Sequence, residues 1–263
     1  MQNLKTVLIT QNDLLFIPKP LHIILSKYPN IDYVITLPPN IKSANFFDNS
    51  IKRLKTFGFN YFFHLTLLYL FNLILSNIPK FLRGRKFYSV KNVCENYGVK
   101  QISFSKINSK QSIKFLRNIS PELIVSISAP QKFGEEILNL PKYGCLNVHG
   151  SLIPDFRGLQ PSFWVLLKDE KYTGSTLHYM NEEIDGGKII YQHKFKINEN
   201  DTQFSIIKKN KALAALLILK AISSIMNSGK IVSFDNETDK GSYFSFPSKS
   251  DVSLFLERGK RFF

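Results

Sequence analysis

Short apolar runs alternate with helix-patterned stretches along the first half of the chain, and that alternation restricts the fold more than any single residue does. "TVLIT" (6–10) reads as a buried strand, Pro18 and Pro20 introduce "LHIILSKY" as a helix, and "DYVIT" (32–36) reads as a second strand. Farther on, "SVKNVCENYGV" is helix-patterned, "QISFS" extended, "SIKFLRNI" helical and "ELIVSIS" extended, with Gly98 and Pro121 at the breaks. This pattern predicts an α/β fold, an open and mostly parallel sheet with helices on both faces. After residue 158, "PSFWVLLKD" suits a helix, while "GSTLHYM" and "GKIIYQHKFKI" suit strands that pair antiparallel. "DTQFSIIKKNKALAALLILKAISSIMNSG" reads as one long helix, capped by Asp201 or Thr202 and stopped at Gly229. The expected organisation is one domain over 1–229, with an apolar helical insert near 55–86, and a short appendage over 230–263. The appendage is too small for its own core and is expected to pack on the domain.

The insert holds the longest apolar stretch, Phe57 to Pro79, flanked by Lys52, Arg53, Lys55, Lys80, Arg83 and Arg85. Its length approaches that of a membrane span. Asn60, His64, Asn72 and Asn77 count against spanning, because polar groups in hydrocarbon are costly. The stretch therefore reads first as a helix buried or packed on a partner, next as an interfacial membrane helix, and last as a spanning one. The chain carries a formal net charge of +15, which favours phosphate-bearing or membrane-surface partners, but the charge is spread along the sequence and names no nucleic acid. Cys94 and Cys145 form no CxxC pair, and "MQNLKTVLIT" enters a strand pattern without a signal core. A reduced, cytoplasmic protein is the expectation, with membrane association through 57–79 left open.

The first strand-to-helix turn, "TQNDLLFIPKP", contains no glycine, so neither a dinucleotide loop nor a P-loop is present. The chemistry is concentrated elsewhere. In "CLNVHGSLIPDFRG" (145–158), Asn147 and His149 lie two apart on a short apolar strand, so both face the same side at its carboxyl end, where open α/β sheets usually bind ligands. In "NEEIDGGKII", Asp185 precedes two glycines in a loop between two strands. Asn, His and Asp are the parts needed for acyl transfer to an amine: Asn and His donate hydrogen bonds to a developing oxyanion, and Asp accepts the proton the amine sheds. On spacing alone each residue also has a plain structural reading. Asn147 can bond loop backbone, His149 can be a packed strand-end residue, and Asp185 can be an ordinary turn residue.

"LNVHGSLIPDFRGLQPSFW" followed by "TGSTLHYMNEEIDGGKIIYQ" resembles the catalytic core of the folate-dependent formyltransferases, and most of all the sugar N-formyltransferases among them. The resemblance rests on Asn147, His149, Ser151, Leu152 and Pro154, then Thr173, Gly174, Thr176 and His178, then Asp185 and Gly187, with Gly150 and Ile153 as mild departures. It implies a Rossmann-like fold and one-carbon transfer from N10-formyltetrahydrofolate as formyl donor, without a metal. It places Asn147, His149 and Asp185 as catalytic residues, and His178 as a structural residue or a partner of Asp185. It also implies that the pteridine lies in an apolar cleft against Ser128, Ala129, Pro130 and Ile137 on one side and Glu183 and Ile184 on the other.

The acceptor is read from departures. Glycinamide-ribonucleotide enzymes carry a Gly- and Ser-rich first loop that "TQNDLLFIPKP" lacks. Methionyl-tRNA enzymes share a segment like "RGLQPSFW", with Arg157, Gly158, Pro161 and Trp164, but append a β-barrel for which the residues after Gly229 leave no room. Formyltetrahydrofolate hydrolases carry an extra N-terminal domain, whereas here the first strand starts almost at Met1. The expected activity is therefore N-formylation of a nucleotide-linked amino sugar in surface-polysaccharide biosynthesis, with Trp164, Tyr243, Phe244 and Phe246 available to stack on a base or sugar. The expected partners are this sugar and the folate, and no nucleic acid. A homodimer and a peripheral membrane contact through 57–79 are left open. The alternatives are a methionyl-tRNA or glycinamide-ribonucleotide type of formyltransferase, or a non-catalytic membrane-peripheral protein on the same fold.

Overall fold

In the computed structural model, which describes residues 4–38 and 46–263 with side chains of 46–50 excepted, the strand-helix alternation is realised element by element. Residues 1–3 of the domain expected over 1–229 lie outside the described residues. The first half runs β1 (Thr6–Gln11), α1 (Pro18–Lys27), β2 (Ile31–Leu37), α2 (Phe46–Ser76), α3 (Lys80–Arg83), α4 (Val90–Tyr97), β3 (Lys100–Ser103), α5 (Lys110–Ile119), β4 (Leu123–Ile127), α6 (Glu135–Leu138) and β5 (Cys145–His149). The second half runs β6 (Arg157–Gly158), α7 (Pro161–Leu167), β7 (Tyr172–Tyr179), β8 (Ile189–Lys196), α8 (Gln203–Ser228), β9 (Tyr243–Phe244) and α9 (Lys249–Glu257). Seven strands form one sheet in the order β3-β2-β1-β4-β5-β7-β8. The first five are parallel, and β7 and β8 add antiparallel at one edge.

The central strands are apolar at consecutive positions because both faces of the sheet are covered. On one face Leu8, Val34, Val125 and Leu146 pack against Leu21, Ile24 and Leu25 of α1, Val93 of α4 and Ala214 and Ile218 of α8. On the other, Val7, Ile9, Ile35 and Ile124 pack against Leu116 and Ile119 of α5 and Ile137 of α6. Each fully buried aliphatic side chain contributes about 1.5–3 kcal/mol, so these two layers fix the sheet. The cap of α8, which the sequence leaves between two residues, is Thr202, whose side chain accepts from Ser205 N in a reciprocal capping box; Gly229 ends the helix in the left-handed region. Asp201 instead binds Lys209 Nζ at 2.7 Å.

A third apolar layer gathers Phe163, Trp164, Leu166, Ile206, Val252, Phe255 and Phe262 around Phe57. It joins the carboxyl-terminal segment to α7 and to the start of the insert. β9 pairs with β6 in a short parallel ladder, and Leu159 N donates to Phe244 O at 2.8 Å. Three of the four aromatics expected to stack on a base or sugar, Trp164, Phe244 and Phe246, have structural partners instead. Trp164 stacks on Phe244 at 4.7 Å and donates its indole N–H to Ser245 O at 3.1 Å, and Phe246 meets Phe57 edge-on. Tyr243 remains exposed.

The insert departs from one half of its first reading, a helix buried within the chain, and leaves the other half, a helix packed on a partner, as it stood. Gly58, with φ at 83°, interrupts α2, a backbone angle open to glycine and strained for other residues. Phe57 on one side of the break is buried, but among the described residues none in the most apolar window beyond it is buried, although Tyr61 packs on Phe262 and Phe263. A buried helix is therefore not what forms here, because the sheet's two faces are already occupied by α1, α4, α8, α5 and α6.

Candidate active site

The sheet changes direction between β1 and β4, with β2 and β3 built out to one side and β5, β7 and β8 to the other. At such a switch point the loops leaving the carboxyl ends of neighbouring strands diverge and open a crevice. Asn147 and His149 lie at the carboxyl end of β5, and across the antiparallel pairing they stand opposite His178 and Thr176 of β7. Asp185 reaches them from the β7–β8 loop with a left-handed φ of 53°. Gly187 makes that turn possible, since a Cβ there would sit 1.9 Å from Tyr179 O.

The three residues expected to carry the chemistry are brought together. His149 Nδ1 lies 3.2 Å from Asp185 Oδ2, and Asn147 Nδ2 donates to Asp185 Oδ1 at 3.4 Å. His149 Nε2 donates to Phe156 O at 2.7 Å, and Gly158 N donates to Asp185 Oδ2 at 3.0 Å. His178 donates from Nδ1 to Tyr179 O at 2.8 Å, and its Nε2 faces Asn147 Nδ2 at 3.2 Å and Asp185 Oδ1 at 3.5 Å. Both protons of the Asn147 amide are thus turned toward His178 and Asp185. An oxyanion held by Asn147 would replace one of these partners.

Burial and charge act in opposite directions on the pair. Burial raises the Asp185 carboxyl, but the His149 and His178 rings and the Gly158 N–H outweigh it and hold the group well below the usual carboxylate range. Burial pushes the His149 imidazole down, and the pull of the Asp185 charge and the Phe156 carbonyl recovers only part of that. The result is an ionised carboxylate beside a ring that is largely neutral at neutral pH.

The residues expected to flank the folate are placed less uniformly. Ser128, in the left-handed region with φ at 56°, and the adjacent Ala129 and Pro130 are half-buried where the chain leaves β4. Ile184 is half exposed beside Asp185, and Glu183 forms an ion pair with Arg157. Ile137 is a correction: its side chain is fully buried in the core layer with Ile124, Phe133 and Cys145, because α6 turns it inward. It offers no surface to a ligand.

Lys211 is a residue the sequence reading misses. From α8 its ammonium donates to Ser128 Oγ, and burial pushes its pKa down to about 8 against the pull of Asp13. Its charge also depresses His149, which places it by the same crevice. The available signal is its register, because Lys211 heads an α8 stripe continued by Ala215, Ile218 and Ile222, all buried. The neighbouring Asn210 donates to Gly150 O at 2.8 Å, fixing α8 to the loop after His149.

Asp13 has its own consequence. Its carboxylate collects the N–H groups of Leu15, Phe16 and Ile17, the donors a phosphate at the first loop would need. Among the described residues no group of three or more His, Cys, Asp or Glu side chains converges as a metal site. The carboxyl-terminal segment closes over the Asp185 loop: Asn236 Nδ2 donates to Asp185 O at 2.9 Å and Gly187 O at 3.2 Å, and Arg157 donates to Thr238 O at 3.1 Å.

Residues 73–222 match the family model described as formyl transferase. The chain is 37% identical over 154 residues to the methionyl-tRNA formyltransferase of Halothermothrix orenii, covering 59% of this chain and 48% of the relative. It is 38% identical over 158 residues to the bifunctional polymyxin resistance protein ArnA of Wigglesworthia glossinidia brevipalpis, covering 60% of this chain and 24% of the relative. The chain thus spans about half or less of the length of these relatives. Its fold is similar to the crystal structure of an N-formyltransferase from Helicobacter canadensis in complex with folinic acid and dTDP-3-aminofucose, with a TM-score of 0.58 at 21% identity over 92% of this chain and 71% of the other. The matched span takes in β3 through most of α8, includes Asn147, His149 and Asp185, and exceeds half of the sequence, so the chain belongs to the formyl transferase family.

Proposed function

We propose that the chain transfers a formyl group from N10-formyltetrahydrofolate to the primary amine of a nucleotide-linked amino sugar. The reading rests on one observation above the rest: Asp185 is within reach of both Asn147 and His149, so a carboxylate, an amide donor and an imidazole gather at a single point. The amine nitrogen attacks the formyl carbon, and the carbonyl electron pair moves to oxygen. His149 and Asn147 then donate to that oxygen, exchanging their present partners for it. Asp185 is ionised at neutral pH and holds the ammonium that attack creates. A carboxylate this acidic keeps a proton only briefly, so Asp185 serves as a way station between the attacking and the leaving nitrogen. Collapse of the oxyanion breaks the bond to the donor nitrogen, which takes the proton.

A formyl group and its carrier fit the residues present. Ile184, Ala129 and Pro130 supply partly exposed apolar surface, and Lys211 supplies a cation to an anionic part of either substrate. The sugar reading draws support from Asp13, which occupies the loop amides that a small phosphorylated amine would use. It also draws support from the Helicobacter canadensis enzyme of similar fold, whose complex holds dTDP-3-aminofucose. A second reading, formylation of methionyl-tRNA, is favoured by the curated relative with that name at 37% identity and by the net charge of +15.

The test is to incubate the chain and N10-formyltetrahydrofolate with nucleotide-linked 3-amino and 4-amino sugars and, separately, with methionyl-tRNA, following tetrahydrofolate release. Turnover with a sugar supports the first reading, and turnover with methionyl-tRNA alone moves the assignment to the second. Absence of folate binding and of turnover with every amine overturns both.

A further inference from the structure

Among the described residues, the insert between β2 and β3 is an apolar platform with no occupant. Phe59, Phe63, Leu67, Leu70 and Ile74 recur at helical spacing along one stripe of α2, all exposed, and Phe81 and Leu82 extend the surface through α3. A contiguous exposed apolar surface of this kind marks an interaction site. It is held firmly at both ends. Phe57 packs against Phe246 and Phe262, Tyr61 meets Phe262 at 4.8 Å, and Asn92 Nδ2 donates to Ser76 O at 2.9 Å.

We propose that this face docks on the surface of an anionic lipid bilayer, with α2 lying in the plane of the membrane. Three observations select this occupant. First, three of the four polar side chains that count against an apolar environment, those of His64, Asn72 and Asn77, are satisfied by backbone carbonyls one turn back. His64 Nδ1 bonds to Asn60 O at 2.8 Å, Asn72 Nδ2 donates to Leu68 O at 2.8 Å, and Asn77 Nδ2 donates to Leu73 O at 2.7 Å. Each carries its own partner into a water-poor setting, which removes much of the desolvation cost.

Second, topology lays the helix flat. β2 enters the insert and β3 leaves it, and the two strands pair side by side in one sheet, Tyr33 opposite Lys100 and Thr36 opposite Ser103. A single crossing by α2 would put these hydrogen-bonded neighbours on opposite sides of the membrane. The helix can therefore sink into an interface but cannot span it.

Third, the charge along the insert is predominantly positive, with Glu95 pairing Arg83 and Lys91 at its far end. From Asn49 to Cys94 the sequence contains no Asp or Glu and eight Lys or Arg residues. Lys52, Arg53 and Lys55 are exposed at one end of the apolar stripe, and Lys80, Arg85 and Lys86 at the other. A shallow recess lined by Ile51, Lys52, Lys55, Thr56 and Lys249 brings ammonium groups together, with no carboxylate among the described residues that line it. A second copy of the chain would set like charges against like, whereas anionic headgroups complement both ends while the stripe between them enters the acyl boundary.

The test is co-sedimentation of the full chain with phosphatidylcholine vesicles and with vesicles that also contain phosphatidylglycerol, at low and high salt, with light scattering of the chain alone. The expected result is binding to the phosphatidylglycerol vesicles that weakens with salt and falls by roughly tenfold or more in the Leu67→Ser/Leu70→Ser variant. Lys52→Glu/Lys55→Glu leaves the apolar stripe intact and should weaken binding as well, and an unchanged thermal melt shows that both variants fold. The proposal is overturned by no binding to either vesicle, by equal binding to both, or by a doubled mass in solution that the same substitutions abolish.

Discussion

His149 Nδ1 and Asp185 Oδ2 sit 3.2 Å apart with both side chains buried, while the other ring nitrogen of His149 donates to Phe156 O at 2.7 Å. Both nitrogens therefore face oxygens that only accept, so a second proton on the ring strengthens the pair, while burial first, then the charges of His178 and Lys211, resist it. Each residue regulates the protonation of the other.

Asp185→Asn should lower kcat by about a hundredfold to ten-thousandfold while leaving the fold intact. The same substitution removes the charge that pulls His149 upward, so the ring should titrate at lower pH than in the parent. Imidazole NMR titration reads this, and an unmoved ring would dissolve the pair.

The lowered Asp185 pKa has a stability consequence whose sign is fixed. The folded carboxyl titrates below its ordinary value of 3.8, so its contribution is fully present above that value and is lost as pH falls through the lowered folded value. Urea melts below about pH 4 should show a shallower acid loss in Asp185→Asn than in the parent.

Lys211 gives the opposite limb. Its folded pKa of about 8 lies below the ordinary 10.5, so in this interval the unfolded chain binds more protons and stability rises with pH. Lys211→Met should flatten that rise, by on the order of 1–3 kcal/mol across the interval. Chemical denaturation at both ends of the interval measures it.

Gly187→Ala should displace the Asp185 loop, since the added Cβ would fall 1.9 Å from Tyr179 O. The expected cost is on the order of 2 kcal/mol or more, with kcat falling together with thermal stability. Normal activity in this variant would show that the loop tolerates another path.

Asn236→Ala removes the two hydrogen bonds from the carboxyl-terminal segment to Asp185 O and Gly187 O. A loss of about 1–2 kcal/mol in stability and roughly tenfold in kcat is expected from steady-state kinetics and melts.

The legible parts of this molecule are those written in local periodicity. The runs around Leu8, Val34, Val125 and Leu146 announce buried parallel strands, and the two-residue spacing of Asn147 and His149 places both on one side of β5. Asp185 is legible because glycines follow it, one of which the turn requires. Ile137 and Lys211 were not legible in the same way. Whether an isoleucine near a strand exit faces a cleft or the core depends on how the short α6 is rolled against β5, which spacing does not encode. Lys211 is separated from His149 in the sequence by β6, α7, β7 and β8, and only the docking of α8 brings its ammonium to Ser128. Trp164 illustrates the same limit, its ring being taken by Phe244 from far along the chain. The exposure of α2 follows from the sheet having no free face left for it, a property of the assembled layers rather than of the helix sequence.

The short β6–β9 ladder and the Asn236 bonds give the chain an order of completion. During synthesis Asn147, His149 and Asp185 emerge well before the residues that hold their loops, and domains form from the amino-terminal side as the chain appears. The sheet can therefore assemble on the ribosome around a reaction centre that is still unlatched, and the site reaches its final geometry only after Asn236 and Phe244 have been made.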